Sequence, residues 1–176
     1  MTESELDEWL LKYKHIWKTK PEFFTWLRGC LRRGIWEKSP VKLSFKNSML
    51  VAPPVDYVGR AKRLGFCQLS REWFPASYLE VDHVDGNKSL QSIDDIVDFV
   101  LHLACPDELQ VVSKEAHKIK SYAERMDISY EEALLIKKAI QIEKGDWRSW
   151  LAARGKSCLS KEKRSVIVDC LRGDNG

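Results

Sequence analysis

The chain has 176 residues, of which 44% are apolar and 31% are charged. These proportions are typical of a folded domain and exclude a disordered chain, and the length suits one domain with an appended helical part. The five cysteines have no paired spacing, which favours reduced thiols and a cytoplasmic protein. The chain starts with an acidic rather than an apolar segment, and no apolar run approaches a membrane span, so we expect no membrane partner.

The net charge of +3 conceals two blocks of opposite sign. Residues 10–47 carry ten Lys and Arg against two Glu, a net charge of +8, whereas residues 80–108 carry eight Asp and Glu against one Lys, a net charge of −7. A polyanion is attracted to the first block and repelled by the second unless a cation binds there. The distribution fits a metal-dependent protein that acts on nucleic acid, and it equally fits any protein with one basic and one acidic face.

Two helices are predicted at the start of the chain. Residues 2–18 have apolar side chains at helical spacing after a capping Ser4, and a second helix begins at Pro21 and ends at Gly34. Their aromatic stripe favours packing between the two helices. The cations on their other faces could instead follow a phosphate backbone.

A less regular segment follows. The alternation of apolar and basic residues over residues 41–46 predicts an edge strand or an extended arm. After the stiff Pro53-Pro54 pair, residues 55–66 predict a short helix that ends at Gly65. Three cations in this segment are further candidates for phosphate contacts: Arg60, Lys62 and Arg63.

The most informative stretch runs from residue 79 to residue 120. Asp82 and His83 end a short apolar run, directly before the turn signal Asp85-Gly86. Neighbouring strand residues point to opposite faces, so both side chains reach one centre only where the strand twists or bulges. Residues 109–112 predict a second strand, and His117 falls in the first turns of a helix from residue 114 to residue 126.

An insertion separates the two predicted strands. Between Asn87 and Pro106, the sequence predicts a helix capped by Ser92, with His102 near its end. A histidine there is more typical of a helix C-terminus than of a metal ligand. Beyond the central stretch, Ser129 caps a helix that runs to about Lys144; a short helical piece and a final helix follow.

The two ends of this stretch, with the sequences VDHVDGN (residues 81–87) and LQVVSKEAHKIK (residues 109–120), resemble the HNH nuclease family. More narrowly, they look like the small HNH proteins of tailed phages. The resemblance implies a ββα-metal fold over about residues 66–128. It also implies that His83 is the general base and that Asp82 and His117 hold one divalent ion. We therefore expect an α+β chain, mostly helical, with a basic N-terminal region (1–54), a nuclease core (55–128) and a C-terminal helical region (129–176).

Two departures from the family pattern stand out. The family has an Asn before the second strand, where this chain has Glu108; either Glu108 or the nearby Asn87 is a candidate for that catalytic role. Many HNH proteins also bind a structural zinc with two Cys pairs. The corresponding positions here are Cys67, Ser70, Ser113 and Ala116, so we expect no structural zinc.

The implied function is hydrolysis of phosphodiester bonds in DNA, with Mg²⁺ or Mn²⁺ as the expected ion and Zn²⁺ or Ni²⁺ also suited to such ligands. DNA is the expected partner, with another phage protein as a second partner and the host cytoplasm as the location. A DNA-binding or assembly protein with a decayed, non-catalytic HNH core is the alternative. The candidate nucleic-acid-binding residues are Lys18, Arg28, Arg32, Arg33, Lys42, Lys46, Arg60, Lys62, Arg63, Lys118 and Lys120.

Overall fold

A computed structural model describes residues 1–86, 89–105 and 107–174. The predicted α+β, mostly helical class is confirmed: the described residues form eight α-helices and two small antiparallel sheets. The chain divides into two compact units, Met1–Lys114 and Glu115–Gly176, while the division into three regions made from the sequence stays a prediction. None of the helices in the described ranges has the length and apolar character needed to cross a membrane.

Four helices belong to the first unit. They are α1 (Glu3–Lys12), α2 (Lys20–Leu31), α3 (Pro40–Ser48) and α4 (Asp95–Ala104). The Thr2 hydroxyl caps α1 and the Thr19 hydroxyl caps α2, each accepting a bond from a first-turn amide. Their apolar faces meet that of α4 in one core. This helical core contains Leu6, Leu10, Phe24, Leu90, Phe99 and Leu103.

The first helix is capped by Thr2 rather than Ser4 and ends at Lys12 rather than near Lys18. Three predictions for residues 34–66 are also wrong. Residues 41–46 are helical because the Ser39 hydroxyl caps the amide of Lys42 and Pro40 occupies the first helical position, where its missing N–H costs nothing. The second helix does not end at Gly34; it continues into a π-helical turn, Arg32–Trp36. Residues 55–66 form no helix, since the chain there is irregular and then enters a strand.

The first unit also contains both sheets. One sheet has the order β1 (Leu50–Val51), β2 (Leu64–Phe66) and β3 (Trp73–Pro75). The other pairs β4 (Leu79–His83) with β5 (Leu109–Ser113), which confirms the predicted second strand. The pairing of β4 with β5 is unbroken along both strands, so β4 contains no bulge.

The two sheets approach each other closely at Gly65. A Cβ added there would lie 2.6 Å from the Leu79 Cδ1 atom and 2.8 Å from the Leu50 Cδ2 atom. Leu79 is fully buried, so its side chain has little room to move away. Gly65 therefore allows β2 to sit directly against the start of β4.

The second unit is helical. It comprises α5 (Lys114–Met126), which starts at the last residue of the first unit, α6 (Tyr130–Lys144), α7 (Trp147–Ala152) and α8 (Lys163–Gly173). The predicted helix over residues 114–126 and the Ser129 cap are confirmed, while the last helix starts three residues after Ser160. One core packs Ala139 of α6 with Leu151 of α7 and Ile167 of α8.

We expect Gly65→Ala to destabilise the first unit by about 1–3 kcal/mol, since the added methyl group overpacks the contact with Leu79. Denaturant unfolding of the full chain measures this loss. Gly34→Ala is the matched control, because nothing lies within 4 Å of a Cβ at Gly34. Equal stability of the two variants would contradict the close approach.

Candidate functional site

Asp82 and His83 end the strand β4 on opposite faces. Along β4, Leu79, Val81 and His83 are buried, whereas Glu80 and Asp82 are half-buried. This alternation is that of a regular strand, whose successive side chains point to opposite sides. The bulge that would turn both side chains to one face is absent from β4, so any convergence has to occur at the strand's end, beyond His83.

The His83 ring packs against two other rings. Its centroid is 4.2 Å from that of Trp36 on the π-helical turn and 4.2 Å from that of His102 on α4. The Lys42 ammonium lies 4.5 Å from the Trp36 ring centroid. The His83 residue is only 7% exposed. Packing against both rings holds the imidazole in one orientation.

A hydrogen bond sets the tautomer of His83. Its Nε2 atom lies 2.9 Å from the main-chain oxygen of His102. Because a carbonyl oxygen only accepts, Nε2 carries the proton, and in the neutral ring Nδ1 is the basic nitrogen. The His102 oxygen also accepts a bond of 3.3 Å from the Cys105 amide. His83 thus caps a carbonyl in the last turn of α4 that would otherwise lack a full set of partners.

Glu108 holds the His102 ring. The His102 Nδ1 donates to the Glu108 carboxylate at 2.8 Å, and the His102 side chain is 6% exposed. The Glu108 main-chain oxygen accepts from the Val84 amide at 2.7 Å. Glu108 therefore braces both ends of the insertion, one with its backbone and one with its side chain. The His102–Glu108 pair lines a cavity of about 500 Å³, together with Asp98 and Cys105 of the same segment.

Gln110 orients Asp82. The Gln110 side chain is buried on β5, directly opposite Asp82. Its amide nitrogen donates to the Asp82 carboxylate at 3.3 Å and to the His83 main-chain oxygen at 3.1 Å. A carboxylate held in this way presents oxygen ligands in a fixed direction, which suits a hard cation.

His117 lies in α5, in the second unit, and is half-buried. Its predicted part in a site with Asp82 stays a prediction. Across the described ranges, no group of three or more His, Cys, Asp or Glu side chains is placed to hold a metal ion. On the same helix, the Lys118 ammonium lies 3.9 Å from Glu115 and the Lys120 ammonium lies 3.1 Å from Glu124.

Three of the four positions that correspond to the family's zinc cysteines lie around one sulfur atom. The buried Cys67 Sγ accepts hydrogen bonds from the Ser70 amide at 3.4 Å and the Ser113 amide at 3.2 Å. Burial raises the pKa of the Cys67 thiol, but the hydrogen bonds from Ser70 and Ser113 together outweigh it and hold that pKa below its usual value. Hydrogen bonds therefore tie the turn after β2 to the end of β5.

The candidate cations of the first unit occupy different environments. Lys46 is half-buried and donates to the Leu79 main-chain oxygen at 2.6 Å, and burial lowers the pKa of its ammonium group. Arg63 donates to the Asn47 side chain at 2.7 Å, and Arg33 contacts the Cys30 sulfur at 3.7 Å. Arg28 is half-buried. The exposed candidates include Lys18, Arg32, Arg60 and Lys62.

Asn87, the other candidate for the catalytic role of the family's Asn, lies outside the described residues. The sequence did not predict that Trp36 and His102 stack on His83, or that Gln110 binds Asp82. Of these contacts, only that of Gln110 had a signal in the sequence, which is the presence of a polar residue inside the apolar run of residues 109–112.

Comparison of the chain with protein-family models, with curated proteins and with solved structures finds no match.

We expect Glu108→Ala to destabilise the protein by about 1–3 kcal/mol, because the buried Nδ1–H of His102 loses its acceptor. Glu108→Gln keeps a side-chain oxygen and is expected to lose less than half as much. Urea unfolding measures both. Asp107→Ala, an exposed neighbour, is the control and is expected to stay within about 0.5 kcal/mol of the wild type. Similar losses for all three variants would contradict the bracing role of Glu108.

Proposed function

We propose that the protein is a metal-dependent endonuclease of the HNH kind, which hydrolyses phosphodiester bonds in DNA with His83 as general base. The observation that carries the proposal is the hydrogen bond from His83 Nε2 to the His102 main-chain oxygen. A general base that works near neutral pH needs a neutral imidazole with one nitrogen committed as a donor and the other able to accept a proton. His83 has the committed donor nitrogen, and the proposal assigns proton acceptance to its Nδ1, at the end of a strand that also carries a carboxylate.

The topology around His83 supports the proposal. An antiparallel strand pair, β4 and β5, is followed without a break by α5, in the chain order expected of a ββα unit. The hydrogen bonds that gather Cys67, Ser70 and Ser113 also support it, since the resemblance places all three among the four zinc-binding positions of the family. In this site the role of His83 is to take a proton from water at Nδ1 while Nε2 keeps its bond to His102.

Asp82 and His117 are the residues that would hold the metal ion. The Asp82 carboxylate fits a divalent cation, because carboxylate oxygens are the ligands that such ions prefer. Asp82 is half-buried, and Gln110 orients its carboxylate. With two protein ligands, water and phosphate oxygens would complete the coordination. When bound, the ion would supply positive charge that neutralises the phosphate and assists departure of the leaving oxygen. The chain's own contribution is to orient Asp82 through Gln110 and to fix the His83 tautomer.

A second candidate function is DNA binding or phage assembly without catalysis. The burial of His83 favours it, since the Trp36 and His102 rings pack against the imidazole and the His83 residue is only 7% exposed. The bond from His83 to the His102 oxygen also stabilises the end of α4, and a purely structural histidine would do the same. Cleavage assays separate the two functions.

We expect His83→Gln to reduce DNA cleavage about a hundredfold or more. The Gln amide can still donate to the His102 oxygen, but it has no nitrogen that accepts a proton near neutral pH. Nicking of supercoiled plasmid with Mg²⁺ or Mn²⁺ measures the loss. Binding to uncleaved duplex and thermal unfolding serve as controls, and both are expected to stay near the wild-type values. Cleavage by His83→Gln within a few-fold of wild type would refute the general-base role.

We expect Asp82→Asn and His117→Ala each to lose binding of one divalent ion, because each removes a predicted ligand. Calorimetric titration of the full chain with Mn²⁺ measures the affinity. Asp98→Asn is the matched control, since Asp98 is an acidic residue of the α4 cavity outside the proposed metal site. Unchanged Mn²⁺ affinity in both ligand variants would remove Asp82 and His117 from the metal site.

A further inference from the structure

One face of the three-stranded sheet β1–β2–β3 is partly exposed. The register pairs Val51 with Leu64, Leu64 with Pro75, and Phe66 with Trp73, and alternation along each strand puts these five residues on one side. We call them the outer face. The other side of the sheet carries Gly65, which lies against Leu79 of β4. The outer face therefore points away from β4.

The outer face is apolar, and three of its five residues are exposed, while Pro75 is half-buried and Leu64 is buried. Trp73 is 56% exposed, Val51 is 47% exposed and Phe66 is 36% exposed. The Phe66 and Trp73 rings contact each other edge to face, with centroids 5.6 Å apart. Adjacent exposed aromatic side chains of this kind typically mark a binding surface.

The outer face continues into a pocket. A cavity of about 380 Å³ is lined by Val51, Leu64, Trp73 and Pro75 of the sheet, and by Pro54 and Tyr57 of the loop after β1. A hydrogen bond of 3.1 Å from the Tyr57 amide to the Pro54 oxygen closes a turn in this loop. The Tyr57 ring lies on Gly59, where an added Cβ would be 2.5 Å from the ring. The pocket thus has one aromatic side chain on the sheet and another on the loop.

The charges on the chain segments that carry the lining residues indicate what the pocket binds. Arg60, Lys62 and Arg63 lie on the short segment between the lining residues Tyr57 and Leu64, and the exposed Arg71 precedes Trp73 by two residues. Asp56 and Glu72 are the opposing anions, so this region, residues 55–75, is net positive by two charges. Aromatic rings on chain segments that also carry cations suit a polyanion with flat bases. An apolar protein segment would gain nothing from the cations.

We propose that this pocket binds an unpaired base of a DNA strand, with the base stacked on Trp73 or Tyr57 and the flanking phosphates near Arg60 and Lys62. Base stacking on aromatic side chains does not depend on sequence, so we expect little preference among the four bases. The binding requires no divalent ion and no contribution from His83. The proposed base binding can therefore be tested independently of the proposed nuclease activity.

The test compares two labelled single strands of equal length, an oligothymidylate and an abasic phosphodiester chain, in buffer that contains EDTA. Fluorescence anisotropy measures their binding to the full-length protein. The two strands carry the same phosphate charge, so any difference in affinity reports the bases. We expect wild type to bind the thymidylate strand about tenfold or more tightly than the abasic strand, and Trp73→Ala to lose that difference.

Two further variants sharpen the result. Trp26→Ala is the matched control, since Trp26 is 48% exposed on α2, and it is expected to bind both strands as wild type does. Gly59→Ala moves the Tyr57 ring without removing an aromatic group, and is expected to weaken thymidylate binding severalfold.

Equal binding of the two strands by wild-type protein would overturn the proposal, and this comparison needs no variant to fold. Retention of the difference in a folded Trp73→Ala variant would overturn it as well. Sedimentation equilibrium tests a competing occupant. If wild type is a dimer and Trp73→Ala a monomer, the outer face binds a second copy of the chain and the proposal fails.

Discussion

The candidate site depends on one main-chain oxygen, that of His102. It lies in the last turn of α4 and accepts from both the Cys105 amide and His83 Nε2. These two donors satisfy both lone pairs of the carbonyl. The position of α4 therefore fixes the His83 tautomer, and the position of His83 fixes the end of α4. A change in the insertion would act directly on the chemistry of His83, although the insertion lies outside the sequence motif.

The sequence correctly predicted those elements for which hydrophobic periodicity and capping residues indicate the same structure. The strand over residues 109–113 and the helix that follows it combine an apolar run, a serine at their junction and a clear helical period. The prediction of a strand or extended arm over residues 41–46 was wrong because the alternation of apolar and basic residues there fits a short helix as well as a strand. The cap at Ser39 and the proline at its first position decided between them. Local capping outweighed a pattern of only six residues.

The candidate site was less predictable than the fold. Asp82 and His83 are recognisable because they are adjacent and precede a turn. Their surroundings are not, since Trp36 and His102 reach His83 from 47 residues before it and 19 residues after it. No local pattern encodes such a contact. It arises because the helical core brings the π-helical turn and α4 to the same strand end, and ring stacking is then a consequence of packing.

The same geometry gives a physical reason for Glu108 where the resemblance implies an Asn. The loop between β4 and β5 needs a brace at its base, and here the Val84 amide and the Glu108 carbonyl provide one through the main chain. The side chain at residue 108 is then available for another partner. The insertion supplies that partner in His102, whose buried ring needs an acceptor at Nδ1. A carboxylate accepts from an imidazole N–H more strongly than a neutral amide does. The insertion thus provides the partner of the Glu108 carboxylate, and Glu108 provides the acceptor that the buried His102 ring of the insertion requires.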